Sequence, residues 1–145
     1  MDESNNISKS QWILIGVIAI GLIYYVGSEK TTSKTNTPFE NLLKETANEI
    51  NKSCPSMVDK DTRLDNAIAL PGNILQYNYT LVTLSKAELN LEYIKETFEP
   101  KIINSVKTNP DLKIFRANKT TMVYNYNDKE GTFVYRITVT PDLYN

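Results

Sequence analysis

The sequence contains no histidine among its 145 residues and only one cysteine, Cys54. Without histidine, the chain lacks the usual general base at neutral pH and the commonest ligand for transition metals. A single cysteine excludes an intramolecular disulfide and the cysteine-rich zinc motifs. We therefore predict a protein that is not an enzyme and that binds no metal or other cofactor.

An excess of charge of one sign is also missing, since 16 basic and 17 acidic residues leave a formal net charge of −1. Such a chain generates no global field that would attract it to nucleic acid. The lysines near residues 95–113 alternate with glutamates, which is typical of a solvated helix face. Asparagine is abundant, so a single asparagine carries little functional weight. We expect no nucleic acid among the partners.

The longest apolar run is WILIGVIAIGLIYYVG at residues 12–27, which contains no charged residue. As a helix it would extend about 24 Å at ~1.5 Å per residue, slightly less than a ~30 Å hydrocarbon core. Trp12 at one end and Tyr24 and Tyr25 at the other occupy positions typical of membrane-interface aromatic residues. No A-x-A-like cleavage site follows, which favours a retained signal anchor over a cleaved signal peptide. We predict contact with membrane lipid through residues 12–27.

The charges around this run leave its orientation open. Lys9 precedes it while Lys30 and Lys34 follow it, so the lysine count slightly favours a cytoplasmic C-terminal side. A very short N-terminal tail before an uncleaved apolar run, however, fits a signal anchor that exports everything after it. The lysine count and the short N-terminal tail therefore predict opposite orientations.

Four segments follow from these patterns: a short tail at 1–11, a single transmembrane helix at 12–27, a flexible tether at 28–37 and a globular domain at 38–145. The tether sequence SEKTTSKTNT is polar and has no apolar periodicity. The domain is expected to begin at Pro38, because Thr37-Pro38-Phe39-Glu40 forms a capping box with proline at the first helical position.

Periodicity predicts the elements of the domain. Helical spacing covers residues 39–50, with an apolar face formed by Phe39, Leu42, Leu43, Ala47 and Ile50. It also covers residues 91–106, where Pro100 should kink or interrupt the helix. Alternation predicts one hairpin around Pro71-Gly72 and another around NDKEG, the last strand placing Phe133, Tyr135, Ile137 and Val139 on its core face.

The predicted fold class is α+β, in the order α-β-β-α-β-β, with two helices packed on one face of a four-stranded antiparallel sheet. Most of the tyrosines fall on the predicted core face of the strands, where β-rich cores normally use them. The opposite strand face carries threonine, asparagine and arginine. We expect this opposite face to meet solvent or a partner.

The candidate site is the stretch CPSMVDKDTRLD at residues 54–65, with Asp59, Asp61, Arg63 and Asp65. Three aspartates suggest a hard-cation site, but the spacing lacks the glycine and the closing glutamate of an EF-hand loop. General acid/base catalysis would need a carboxyl group whose pKa is raised by an apolar pocket. The favoured interpretation is a structural or interaction cluster, in which Arg63 and Asp65 project from one strand face and Arg63 pairs with a carboxylate.

Four motifs carry a resemblance to a known family: D-x-x-T-R-L-D, P-G-x-x-L-x-Y-N-Y-T-L-V, E-P-x-I-I-N-S-V-K-T-N-P and Y-N-Y-x-D-K-x-G. Together they span about residues 50–140 and resemble a widespread family of small bacterial envelope proteins, which are lipoproteins or signal-anchored. The resemblance implies a domain outside the cytoplasmic membrane. Relatives often carry a second cysteine where this chain has Lys107, so Cys54 is expected to be a free thiol. The resemblance brings no catalytic residue to this chain.

The favoured function is therefore a non-enzymatic, membrane-tethered accessory or interaction subunit of a larger membrane assembly. The protein would sit in the cytoplasmic membrane with one span and an extracytoplasmic, periplasmic-type domain. One alternative is an immunity or inhibitor protein against a co-encoded toxin. Another is a carboxylate-dependent hydrolase that uses Asp59, Asp61 and Asp65.

Overall fold

The computed structural model describes residues 37–145, which form an α+β domain with a five-stranded mixed sheet. In chain order its helices and strands are α1 (Pro38–Lys52), β1 (Ser56–Met57), β2 (Thr62–Leu70), β3 (Ile74–Leu81), α2 (Leu91–Tyr93), α3 (Glu99–Thr108), α4 (Lys113–Ala117), β4 (Thr121–Asn127), β5 (Phe133–Val139) and α5 (Pro141–Tyr144).

The predicted N-terminal tail, transmembrane helix and most of the tether lie outside the described residues, as do Trp12, Tyr24 and Tyr25. Across residues 37–145, no helix combines the length and the apolar character needed to cross a membrane.

The strand order is β1-β2-β3-β4-β5, and every neighbouring pair is antiparallel except β3 and β4, which are parallel. The predicted four-stranded antiparallel sheet is therefore wrong in two respects. The very short β1 adds a fifth strand beside β2. The helical segment between β3 and β4 crosses over the sheet, so the chain enters β4 in the same direction as β3.

Helix α1 begins as predicted. The Thr37 hydroxyl accepts a hydrogen bond from the Glu40 N–H (3.2 Å), and the Glu40 carboxylate accepts one from the Thr37 N–H (3.0 Å). Its buried face differs slightly from the predicted one. Leu43, Ala47 and Ile50 are buried as predicted, whereas Leu42 is only partly buried and Thr46 joins the buried face.

The predicted interruption at Pro100 takes the form of a change in helical geometry. The segment Ile94–Phe98 between α2 and α3 is π-helical, and the Glu99 N–H donates to the Ile94 carbonyl, five residues earlier. This wider turn precedes Pro100, which cannot donate a backbone hydrogen bond. Helix α3 continues beyond it, and its buried residues Ile102 and Val106 join the same core as Ile94 and Phe98 of the π-helical segment.

The core lies between the helices and one face of the sheet, here called the inner face. Four tyrosines stack in pairs across the parallel strands, with ring centroids 5.4 Å apart for Tyr77 and Tyr124 and 5.1 Å apart for Tyr79 and Tyr126. Burial raises the pKa of all four phenols above the usual value. The prediction that tyrosines serve the core is confirmed for these four.

Strand β5 departs from the predicted alternation at its first residues. A bulge opposite Tyr126 and Asn127 inserts an extra residue, so Val134 is buried and Phe133 is 49% exposed. The prediction that Phe133 belongs to the core is therefore wrong. Tyr135 lies at the rim of the core, where its hydroxyl donates to Glu99 Oε2 (2.7 Å).

Candidate functional site

The face of the sheet that points away from the helices, here called the outer face, is the candidate functional surface. Within residues 37–145, the buried helical side chains all join the core on the inner face, which leaves the outer face without a helical cover. Side chains alternate along each strand, so the same strands that build the core also present this second surface. It combines a row of amides with a small apolar corner.

The amide row crosses four strands. Asn66 pairs with Asn78, Asn78 with Asn125, and Asn125 with Arg136. The Asn78 amide donates to Asn66 Oδ1 (2.7 Å), the Gln76 amide donates to Asn78 Oδ1 (2.8 Å), and Arg136 Nε donates to Asn125 Oδ1 (3.3 Å). Each amide still has donors or acceptors to spare. The row is thus held in place and can hydrogen-bond to a partner.

The apolar corner lies beside this row, next to the turn between β2 and β3. It comprises Ile68, Leu70, Ile74 and Val123, which the register brings together on β2, β3 and β4. Ile68 is 42% exposed and Leu70 is 36% exposed. An apolar group bordered by hydrogen-bonding side chains has the anatomy of a protein–protein contact surface.

Arg63 and Asp65 lie on the same face, at the end away from the apolar corner. Arg63 Nε and Asp65 Oδ1 are 2.6 Å apart, and Asp65 Oδ2 accepts a hydrogen bond from the Thr80 hydroxyl (2.6 Å). Because both partners are partly exposed, the ion pair adds little stability and mainly orients the two side chains. The predicted pairing of Arg63 with a carboxylate is present.

The other two aspartates of the candidate cluster lie in the turn before β2. Asp59 Oδ1 accepts hydrogen bonds from the backbone N–H groups of Asp61 and Thr62, both at 2.8 Å, and Asp61 Oδ1 accepts one from the Thr83 hydroxyl (2.6 Å). The exposed ammonium of Lys60 is 3.4 Å from Asp61 Oδ2, without hydrogen-bond geometry. These carboxylates shape the turn.

The cluster predicted from residues 54–65 is therefore divided between a turn and a strand face. Among the residues that the structure describes, no three histidine, cysteine or acidic side chains are grouped so as to hold a metal ion. One carboxylate oxygen each of Asp59 and Asp61 is buried without a hydrogen bond.

Cys54 is a free thiol packed at the margin of the core. Burial raises the pKa of this thiol, and the negative charge of Asp65 raises it further. The thiolate form is the reactive one, so both effects make Cys54 a poor nucleophile.

The sequence analysis predicts that the strand face with threonine, asparagine and arginine meets solvent or a partner, but it does not predict that the asparagines align in a row across the strands. A signal was present in the repeated tripeptide Tyr-Asn-Tyr, at residues 77–79 and 124–126. The two copies align residue by residue in the parallel pairing of β3 and β4. In each copy the tyrosines enter the core and the asparagine projects to the outer face.

The chain belongs to the family described as Domain of unknown function (DUF8479), whose model matches residues 37–135. A comparison with curated proteins finds no significant match.

Solved structures share the fold at low sequence identity. PA3611 of Pseudomonas aeruginosa, a protein inferred to be secreted, has a TM-score of 0.65 at 14% identity, covering 79% of this chain and 100% of its own. The type II secretion system pilotin AspS of Vibrio cholerae has a TM-score of 0.54 at 14% identity, with coverages of 72% and 90%. The Vibrio vulnificus type 2 secretion pilotin EpsS has a TM-score of 0.56 at 8% identity, with coverages of 73% and 91%.

Proposed function

We propose that this protein is a membrane-tethered, non-enzymatic accessory subunit that binds another protein of a larger envelope assembly through the outer face of its sheet. The observation that carries the proposal is the outer face itself. It places exposed Ile68 and Leu70 beside a preorganised row of amides, and the described helices leave it open. A surface of this kind suits a protein partner better than a small substrate, because its amide row extends across four strands.

The likeness in fold supports an accessory role. Two of the solved proteins that share the fold are pilotins of type II secretion systems, so the fold has a precedent in a secretion system. The uncharged run at residues 12–27 would anchor the chain in the cytoplasmic membrane. We place the domain on the extracytoplasmic side, in agreement with the secreted character inferred for PA3611.

The chemistry of the face specifies the partner's surface. Apolar side chains would cover Ile68 and Leu70, and amide or hydroxyl groups would bond to Asn78 and Asn125. An acidic side chain would suit Arg136, the exposed cation of the row. Since the face carries few charges, we expect its affinity to depend more on packing and hydrogen bonds than on salt.

Purification of the full chain from membranes in mild detergent tests the proposal. The wild-type chain should carry a membrane protein in fixed stoichiometry. Ile68→Asp combined with Leu70→Asp should abolish this association, because two carboxylates would be buried against the partner's apolar side chains. The matched control is Ile114→Asp on α4, which changes a similarly exposed isoleucine (45%) away from the sheet and should leave the complex intact.

Two results would contradict the proposal. One is a complex that survives the double substitution on the outer face. The other is recovery of a soluble co-encoded toxin, whose activity the chain inhibits, in place of a membrane subunit; this result would establish the immunity function instead.

A further inference from the structure

The start of the domain, helix α4 and the turn between β2 and β3 lie together at one end of the sheet. The Phe39 ring, in the first turn of α1, packs edge-to-face against the Phe115 ring of α4, with centroids 6.3 Å apart. Just after α4, the Thr121 N–H donates to the carbonyl of Asn73 in that turn (3.0 Å). We call this the proximal end, because the predicted tether joins the domain here at Thr37.

The apolar corner of the outer face is also at the proximal end. Leu70 and Ile74 border the turn between β2 and β3. Ile68 lies two residues before Leu70, and Val123 lies two residues after the start of β4. The opposite end, here called the distal end, holds the turn before β2 and the turn that joins β4 to β5. Strands of seven to nine residues place the two ends about 23–30 Å apart, at ~3.3 Å per residue.

The length of the tether limits how far the proximal end can lie from the membrane. Ten residues, 28–37, separate the predicted span at 12–27 from Pro38. A chain of this length has a root-mean-square extension of about 17 Å and cannot exceed about 35 Å. The proximal end is therefore held close to the bilayer surface, whereas the distal end can lie a further strand length away.

We propose that the outer face binds the membrane-proximal segment of an integral membrane subunit, namely the first residues that emerge from the bilayer at the end of one of its spans. This inference rests on the proposed function, because it needs both the membrane tether and the outer face as the contact surface. A contact made by the apolar corner lies within the reach of the tether, so the partner offers its binding residues at the same height.

The apolar corner also indicates which side chains the partner presents. Between Ile68 and Val123 in the sheet lies Gln76, whose amide donates to Asn78 Oδ1 (2.8 Å) and keeps a second donor and its carbonyl oxygen for a partner. Tyrosine and tryptophan match this arrangement, since each has an apolar ring and one polar group that can hydrogen-bond to an amide. Both are enriched where a membrane protein leaves the hydrocarbon core. We expect such a ring to cover Ile68 and Leu70.

Photo-crosslinking of the full chain in intact membranes, followed by mass spectrometry of the product, tests the inference. Benzoylphenylalanine in place of Ile68 should crosslink to a partner residue within about 15 residues of a span, since ~1.5 Å per helical residue covers the usual reach of the tether. The matched position is Met57, which pairs with Arg63 on the outer face toward the distal end and is 53% exposed. Benzoylphenylalanine in place of Met57 should not give this product.

A change in the tether gives a second readout. When residues 28–36 are replaced by about 20 alanine-rich helical residues that continue the span, the domain is lifted by about 30 Å, and the Ile68 product should be lost. A flexible glycine–serine segment of the same length is the matched control. It should retain the product, with a yield reduced at most about threefold by the lower effective concentration.

A crosslink from Ile68 to a residue far from every span of the partner would overturn this inference and leave the proposed function intact. Equal products from Ile68 and Met57, a product that survives the helical spacer, or loss of the product with the flexible spacer would also overturn it. If benzoylphenylalanine in place of Ile68 gives no product with any membrane protein, the proposed function and this inference both fail.

Discussion

The inner and outer faces of the sheet are built from the same strands and yet have different chemistry. In the two Tyr-Asn-Tyr segments the tyrosines are buried and stacked, while Asn78 and Asn125 face outward in a row of amides. Neighbouring positions therefore have different roles in this account: the inner side chains form the core, and the outer ones form the contact surface that we propose. Substitutions one residue apart should separate stability from binding.

The largest expected effect comes from the helical side of the core. Phe98→Ala removes a side chain that is 1% exposed and should lower the free energy of unfolding by about 3–5 kcal/mol, through lost burial and a residual cavity. Its control, Phe133→Ala, removes a phenyl ring from the outer face and should cost less than about 1 kcal/mol. Urea denaturation measures both. Equal losses of unfolding free energy in the two variants would show that the inner and outer faces do not differ in their contribution to stability.

Helix α1 provides a second comparison, between adjacent leucines. Leu43→Ala should destabilise the fold by about 2–5 kcal/mol, because Leu43 is 1% exposed. Leu42→Ala should cost less than half as much, since Leu42 is only partly buried. A larger loss at Leu42, measured by denaturant unfolding, would mean that the helix is rotated on the sheet.

The third target is Asn51, whose side chain forms two hydrogen bonds with the backbone of Ala67 at the β2 edge of the sheet, next to the short β1. Asn51→Ala removes both hydrogen bonds to Ala67 and should destabilise the protein by about 1–3 kcal/mol, because two partly buried backbone groups lose their partner. The exposed neighbour Asn48, changed to alanine, should have almost no effect. If thermal unfolding shows the same small change for both variants, the Asn51 bridge does not stabilise this edge.

The smallest effect concerns Asp128, a buried residue in the turn that joins β4 to β5. Burial alone would raise the pKa of this carboxyl, but hydrogen bonds from the backbone N–H groups of Lys86, Thr132 and Glu130 lower it below the usual value. The carboxylate therefore stabilises the fold above the ordinary aspartate range, and this stabilisation is lost as the pH falls through the lowered pKa. Asp128→Asn should flatten the acid limb of a stability–pH curve, and an unchanged limb would contradict this assignment.

Much of the fold could be predicted from local patterns. The capping box of α1 and both hairpins follow from residues close in sequence, and the structure contains all three. The parallel pairing of β3 and β4 could not be predicted in this way, because it depends on how a long crossover packs. Phe133 was misplaced because the bulge opposite Tyr126 and Asn127 shifts the alternation of β5 by one residue, which spacing alone does not show.

The candidate site was predictable only in part. The pairing of Arg63 with Asp65 follows from alternation along one strand, and it is present. The amide row depends on the register between β3 and β4, since Asn78 and Asn125 lie far apart in sequence and meet only when these strands pair in parallel. A residue type that looked like compositional background thus becomes a surface only in three dimensions.

Site-specific photo-crosslinking in intact membranes tests most directly whether the outer face is the contact surface. A photoreactive residue in place of Leu70 should crosslink to one defined membrane-assembly protein. The same residue in place of Glu45, on the exposed side of α1, should give no such product. Crosslinking from Glu45 alone, or equally from both positions, would contradict the assignment of the outer face as the contact surface.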